Sequence, residues 1–375
     1  MTHITRLILT ITSLLLAAAT RCTAQNIEPV SGFPDTEEGY SLGVSACYAG
    51  RIGPWIIMAG GCNFPEPGNK RYYRGIYAAH VGTDTLHWQR VGELPEEAAY
   101  GGTAASGDSL ILIGGNNIRS MSTVLSLHIT PDGTKATVRR LTPLPHTADN
   151  MAVAQRGNDI FVVGGNLDGH PSADILHTRL GHKGGAWSRF ATLTGAPRVQ
   201  PVAVCVGRRL YVWGGFHADS ANSTVHTGGE CITLRTRRST PLPAPTDPLG
   251  NPLTLSGGTA WAHDGMIWAA GGVNHDIFLD AISGSYRLVK QSDYLNQPVA
   301  WYRFNAQLCR FNPRRHRWQP TPITHPQLAR AGAAALWVRG FGCFYIGGEV
   351  KPAVRTPQIV RIGDMHWKSA QYTKH

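Results

Sequence analysis

Charge is scarce in this 375-residue chain: Asp, Glu, Lys and Arg make up 16% of it. Disorder driven by charge, and coiled coils laced with ion pairs, are therefore poor descriptions. No run of five or more Lys and Arg residues occurs, so the formal net charge of +11 is spread out rather than gathered into a nucleic-acid patch. A basic surplus of this kind suits a small acidic ligand, although a merely basic surface would look the same. Beyond the first two dozen residues no segment reaches eighteen consecutive apolar residues, so no membrane insertion is expected. Seven cysteines are present, but they are far apart and carry no metal-ligand spacing. Five of the last six lie inside predicted strands, as in Val202-Ala-Val-Cys205-Val, and are expected to be buried free thiols; one or two bridges are the alternative.

Residues 1–24 stand apart. His3 and Arg6 precede an apolar run from Leu7 to Ala19, and Cys22-Thr23-Ala24 offers the small residues that a signal peptidase inspects. This reads as a cleaved secretory signal. A lipid anchor on Cys22 is the rival, and the charged Arg21 just before it argues against that. Cleavage lowers the formal charge from +11 to +9, because Arg6 and Arg21 leave with no acids.

What the chain has in abundance is glycine (43) and proline (24), with 42% hydrophobic residues. That combination fits many short strands joined by tight turns. A glycine pair closes an apolar strand six times, at Gly60-Gly61, Gly114-Gly115, Gly164-Gly165, Gly214-Gly215, Gly271-Gly272 and Gly347-Gly348. The steps between first glycines are 54, 50, 50, 57 and 76 residues, around the kelch period of about 50. A small-residue strand precedes each pair, a tryptophan often follows (Trp88, Trp187, Trp318, Trp367), and Leu94-Pro95, Leu144-Pro145 and Leu242-Pro243 end several units. Small residues suit a crowded axis and tryptophan a wide rim. The expectation is an all-β fold, a six-bladed kelch-type β-propeller over residues 25–375.

The long last step places an insertion in blade 5, at about 275–303, with a short helix candidate in Asp276-Ile-Phe-Leu-Asp-Ala-Ile-Ser283. A lid, a contact in a homodimer or a passive excursion would each account for it. Either Asn26–Pro34 or His366–Tyr372 could supply the strand that closes the ring.

Loops on one face of a propeller carry the residues after each glycine pair: Cys62, Asn116, Asn166, Phe216, Asn274 and Glu349. The neighbouring loop set adds Glu37, Glu96, Tyr100, Asp149, Asn150, Arg198, Gln200 and Arg330. Converging polar groups make a ligand site the default reading, although Asn beside glycine has a turn-forming role of its own. Glu349 alone is an acid directly after a glycine pair, with Lys351 and Arg355 close by. Such a carboxylate can act as general base or acid, or form a structural ion pair between blades.

The stretch Gly348-Glu349-Val-Lys351-Pro352-Ala-Val-Arg355-Thr356 resembles a segment of bacterial N-acetylneuraminate epimerases, the sialic acid mutarotases. Gly271-Gly-Val-Asn274, Ala196-Pro197-Arg198-x-Gln200 and the residues around Phe304-Asn305 are similar to the same family. The blade carrying Glu349 comes last here rather than in the middle, so the chain resembles a cyclically permuted branch. The resemblance implies a periplasmic isomerase that interconverts the α and β anomers of free N-acetylneuraminic acid, with no metal or nucleotide. It implies Glu349 as general base and Arg355 on the sugar carboxylate, with Asn274, Lys351, Arg198, Gln200 and Tyr100 as candidate substrate contacts. A non-catalytic exported kelch module that binds carbohydrate or protein is the alternative, and it places no demand on Glu349.

Overall fold

The computed structural model describes residues 27–363 except 83, 182–184, 220 and 221; the leader and the segment His366–Tyr372 lie outside the described residues. Nearly every regular element is a short strand. Apolar residues fill the middle strands, as in Ser109–Ile113, where all five residues are buried, because each sheet is covered on both faces by its neighbours. Among the described residues these strands form six four-stranded antiparallel sheets, one of which carries an extra short strand, Thr224–Val225. The inner strands are Tyr48–Ile52, Gly102–Ser106, Ala152–Arg156, Val199–Val206, Thr259–His263 and Ala334–Val338, and we number the blades 1 to 6 in that order. The fold is a kelch-type β-propeller.

Blade 6 takes its outermost strand from the N-terminal side. Ile27–Val30 pairs with Ile359–Ile362, with Ile27 opposite Ile362 and Val30 opposite Ile359. Of the two candidate closing segments, the first is therefore the one seen in place.

A second closure runs around the axis. Ala46, Tyr100, Asn150, Gly257 and Gly332 each precede an inner strand and Gln200 is the second residue of one, and each has φ between 53° and 71°. Their backbones form a continuous circle: Tyr100 N–H donates to Ala46 C=O (2.9 Å), Asn150 to Tyr100 (2.8 Å), Gln200 to Asn150 (2.7 Å), Gly257 to Gln200 (3.0 Å), Gly332 to Gly257 (2.7 Å) and Ala46 to Gly332 (2.8 Å). Four of the six are not glycine, and left-handed backbone costs such residues roughly 1–2 kcal/mol each. The closed circle of hydrogen bonds holds them there.

The recurring sequence marks have physical counterparts. At Gly60 a Cβ would run into the carbonyl of Ala98, which leads into blade 2, so only glycine lets the neighbouring blade approach this closely. The rim tryptophans reach back one blade: Trp88 Nε1 donates to Gly32 C=O (3.3 Å), Trp187 to Thr142 (3.3 Å) and Trp318 to Pro243 (2.9 Å). All six cysteines from Cys47 to Cys343 are free.

The blade 5 insertion contains a helix at His275–Ile282, a helical turn at Gln291–Tyr294 and a 3-10 turn at Val299–Tyr302. It stays on the protein through buried Ile277 and Tyr302 and through edge-on stacking of Phe278 against Phe216 of blade 4, with ring centres 5.0 Å apart.

Candidate functional site in the mouth of the propeller

The glycine pair of blade 6 ends its second strand and launches a small hairpin, Glu349–Lys351 against Val354–Arg355. The backbone of Glu349 is pinned on its other side by Ala331, through Glu349 N–H to Ala331 C=O (2.7 Å) and the reverse bond (2.9 Å). Glu349 and Arg355 are cross-strand partners, so their side chains meet on one face. Arg355 Nη1 forms an ion pair with Glu349 Oε2. The guanidinium also lies 5.1 Å above the ring of Phe64 from blade 1 and is 4% exposed, whereas Glu349 keeps 23% of its side chain open. Thus the carboxylate is the more open of the two, on a small pocket of about 30 Å³ that it shares with Asn274, Tyr294, Tyr302 and Phe304, and the arginine lies behind it.

Burial pushes the Glu349 carboxyl above its usual range, against the opposing pull of Arg355 and Lys70. Burial acts against the charge on Arg355, but Glu349, then Tyr100 and Cys62, more than offset it and leave its pKa raised. The Tyr100 hydroxyl is pushed well up by burial and by Cys62, so it stays protonated; it accepts a hydrogen bond from the Cys62 thiol at 3.3 Å.

A cavity of about 520 Å³ is lined by Lys70, Tyr100, Asn116, Asp149, Asn166 and Gln200 among others, within the usual range for a small-molecule site; the pair is not in its lining, but Lys70 acts electrostatically on Glu349 and Tyr100 on Arg355. Asp149 is the knot of its wall. Asn150 and Asn166 donate to Asp149 Oδ1 (both 2.7 Å), Asn116 donates to Oδ2 (3.1 Å), and Ser120 Oγ also donates to Oδ2. Gln200 Nε2 donates to Asn150 Oδ1 at 2.8 Å. A buried carboxylate with this many donors is satisfied, and it fixes the orientation of three amides along the wall. Below the mouth, a channel of about 240 Å³ runs between the small residues of the inner strands.

The structure places Tyr100 and Gln200 on the 520 Å³ cavity, Glu349 together with Asn274 on the small pocket beneath the insertion, and Arg355 behind Glu349; Arg198, Asn274 and Lys351 each have a structural partner of their own. Arg198 is 5% exposed, donates to Gly214 C=O (2.8 Å) and stands 3.8 Å from Glu230, inside the blade seam. Arg330 does the same in the next seam but one, donating to Gly347 C=O at 2.9 Å, so the arginine serves the repeat. Asn274 caps the insertion helix, its Oδ1 accepting from Ile277 N–H at 3.1 Å. Lys351 Nζ donates to the carbonyls of Leu295 (3.1 Å) and Gln297 (2.8 Å), which ties the insertion to the Glu349 hairpin. The reading of sequence missed Lys70 and Phe64. Both sit on the blade 1 hairpin Cys62–Glu66 and Asn69–Tyr72, the counterpart of the Glu349 hairpin, and that equivalence was the available signal.

Fold and site together define a kelch-type propeller with a carboxylate–guanidinium pair near an amide-lined cavity. A family model described as NANM, N-acetylneuraminate epimerase, matches residues 142–375, well over half of the sequence, and the chain belongs to that family. Among similar proteins, the N-acetylneuraminate epimerase of Salmonella enteritidis PT4 is 27% identical over 248 residues, covering 64% of this chain and 62% of the relative. That of Haemophilus influenzae (strain PittEE) is 27% identical over 180 residues, 46% of each chain. The chain thus spans less than two thirds of these relatives' lengths. A solved structure titled "Structure of YjhT" superposes with a TM-score of 0.50 at 23% identity, covering 58% of this chain and 64% of that one, which bears on fold alone.

Proposed function

We propose that this protein is a mutarotase that interconverts the α and β anomers of free N-acetylneuraminic acid. The observation that carries the reading is the Glu349–Arg355 pair, partly open on the carboxylate side, in a chain of the N-acetylneuraminate epimerase family. Ring opening requires a base to take the proton of the anomeric hydroxyl while the ring C–O bond breaks and its electron pair goes to the ring oxygen, which takes a proton from a donor in the mouth. The open-chain ketone then recloses on its other face as the proton returns. Glu349, with its raised proton affinity, fits a group that accepts a proton and gives it back. Arg355, pressed against it, orients the carboxylate and steadies its charge.

The test is proton NMR of freshly released α-sialic acid. Wild type should speed its equilibration. Glu349→Gln should slow the enzymatic rate by roughly 10²- to 10⁴-fold, the usual worth of general acid–base catalysis, with the fold intact. Equal rates for folded wild type and variant would refute the mechanism and favour a non-catalytic binding module. Residues 1–24 are further proposed to direct export to the periplasm; among the described residues no helix is long and apolar enough to cross a membrane.

A further inference from the structure

Building on the mutarotase reading, we infer that Lys70 is the residue that holds the substrate's carboxylate and so makes the site select an acidic sugar. A keto-sugar acid carries its carboxylate on the anomeric carbon itself. Whatever cation grips that group must therefore stand close to the base that serves the anomeric hydroxyl. The resemblance pointed to Arg355, but that guanidinium is 4% exposed, paired with Glu349 and covered by Phe64. A ligand carboxylate would have to displace the base to reach it.

The other cations nearby are also engaged. Lys351 is held by two carbonyls of the insertion, and Arg198 and Arg330 by glycine carbonyls in the blade seams. Lys70 differs from all of these. It is exposed on the blade 1 hairpin and lines the 520 Å³ cavity. Its ammonium lies 4.3 Å from the ring centre of Tyr100 and 5.0 Å from that of Tyr72. Among the described residues it forms no ion pair.

Its charge interacts with Cys62, Glu349 and Asp149, so it stands within electrostatic reach of both the proposed base and the amide wall. Asp149 already has four side-chain donors and needs no cation. Burial lowers the Lys70 pKa, a cost that an incoming carboxylate would relieve. From Lys70 the cavity runs on past Asn116 and Asn166 to Phe216. The amides there give hydrogen-bonding groups to a hydroxylated tail, and Phe216 an apolar face.

The experiment measures binding and anomerisation of N-acetylneuraminic acid and of its uncharged methyl ester, for wild type, Lys70→Met and Lys70→Arg. Wild type should prefer the acid. Lys70→Met should lose about tenfold to a hundredfold of that preference, the value of one hydrogen bond to a charged group, while its handling of the ester changes little. Lys70→Arg should keep most of the preference. The assignment is overturned if Lys70→Met retains the wild-type ratio of acid to ester, or if wild type shows no preference, however fast anomerisation is. A Lys70-dependent preference without anomerisation would instead sink the mutarotase reading and leave this one standing.

Discussion

Replacing Lys351 by Met removes the tether between the insertion and the Glu349 hairpin while keeping an unbranched apolar stem. The ammonium makes two hydrogen bonds, at 3.1 Å to Leu295 C=O and 2.8 Å to Gln297 C=O. Charged hydrogen bonds are worth about 1.5–3 kcal/mol each when buried. Lys351 is only half-buried and the Leu295 bond is exposed, so about 1–2 kcal/mol for the pair is reasonable. The contact with the Tyr302 ring, at 6.0 Å, is at the limit of useful range. Local opening of residues 286–304 should therefore become about fivefold to thirtyfold more frequent. Amide hydrogen exchange followed by mass spectrometry reads this directly, and peptides of the blades serve as internal controls. The global melting temperature should hardly move, since the six blades and the hydrogen-bonded circle are untouched. If protection of 286–304 stays at the wild-type level while sialic acid affinity collapses, the tether argument is wrong and Lys351 acts on the sugar itself.

Two pH experiments follow from the buried groups. Glu349 works as a base only when ionised, and burial raises its pKa, so kcat/KM should fall as pH drops through a value above the ordinary carboxylate range of about 4.3; a limb at or below that range would contradict its placement. His226 is pulled down to about 4 by burial and then by Arg198. Its neutral form is favoured in the folded state, so its contribution is present above about 6.5 and lost as pH falls toward 4. The melting-temperature difference between wild type and His226→Gln should shift in favour of the variant across that interval, and a constant difference would rule the linkage out.

The parts of this fold that a reader could take from sequence are those that geometry demands again in every blade. Glycine pairs recur because the next blade's carbonyl occupies the space of a Cβ, as at Gly60. The tryptophans recur because each spans a rim gap, as Trp318 does to Pro243. Glu349 and Arg355 were legible because a short hairpin makes them neighbours. The closing strand was not: Ile27–Val30 finds Ile359–Ile362 across almost the whole chain, and no local pattern marks such a pairing. Which partners Arg198, Asn274 and Lys351 would take was not legible, because residue type and spacing cannot say which way a side chain turns. Their partners, a glycine carbonyl, a helix N–H and two insertion carbonyls, exist only after folding.

Closure also decides where the two halves of the site lie in the chain. Blade 6 carries Glu349 and Arg355, while Phe64 and Lys70 belong to blade 1 and Tyr100 leads into blade 2. These are next to one another in space because Ala46 donates to Gly332 and Ile27–Val30 completes blade 6, yet they are nearly 250 residues or more apart in sequence. A comparison that follows the chain in order and begins at residue 142 takes in Glu349 and Arg355 and leaves Phe64, Lys70 and Tyr100 outside. A rotated order of blades would produce that kind of partial match, since a ring can be opened at any blade without disturbing its contacts. The similarity carried by blades 3 to 6 therefore covers Glu349, Arg355 and most of the amide wall (Asp149, Asn150, Asn166 and Gln200), but not Lys70. Under the proposed roles, Lys70 is therefore where this chain can differ from its relatives in substrate while keeping Glu349 and Arg355.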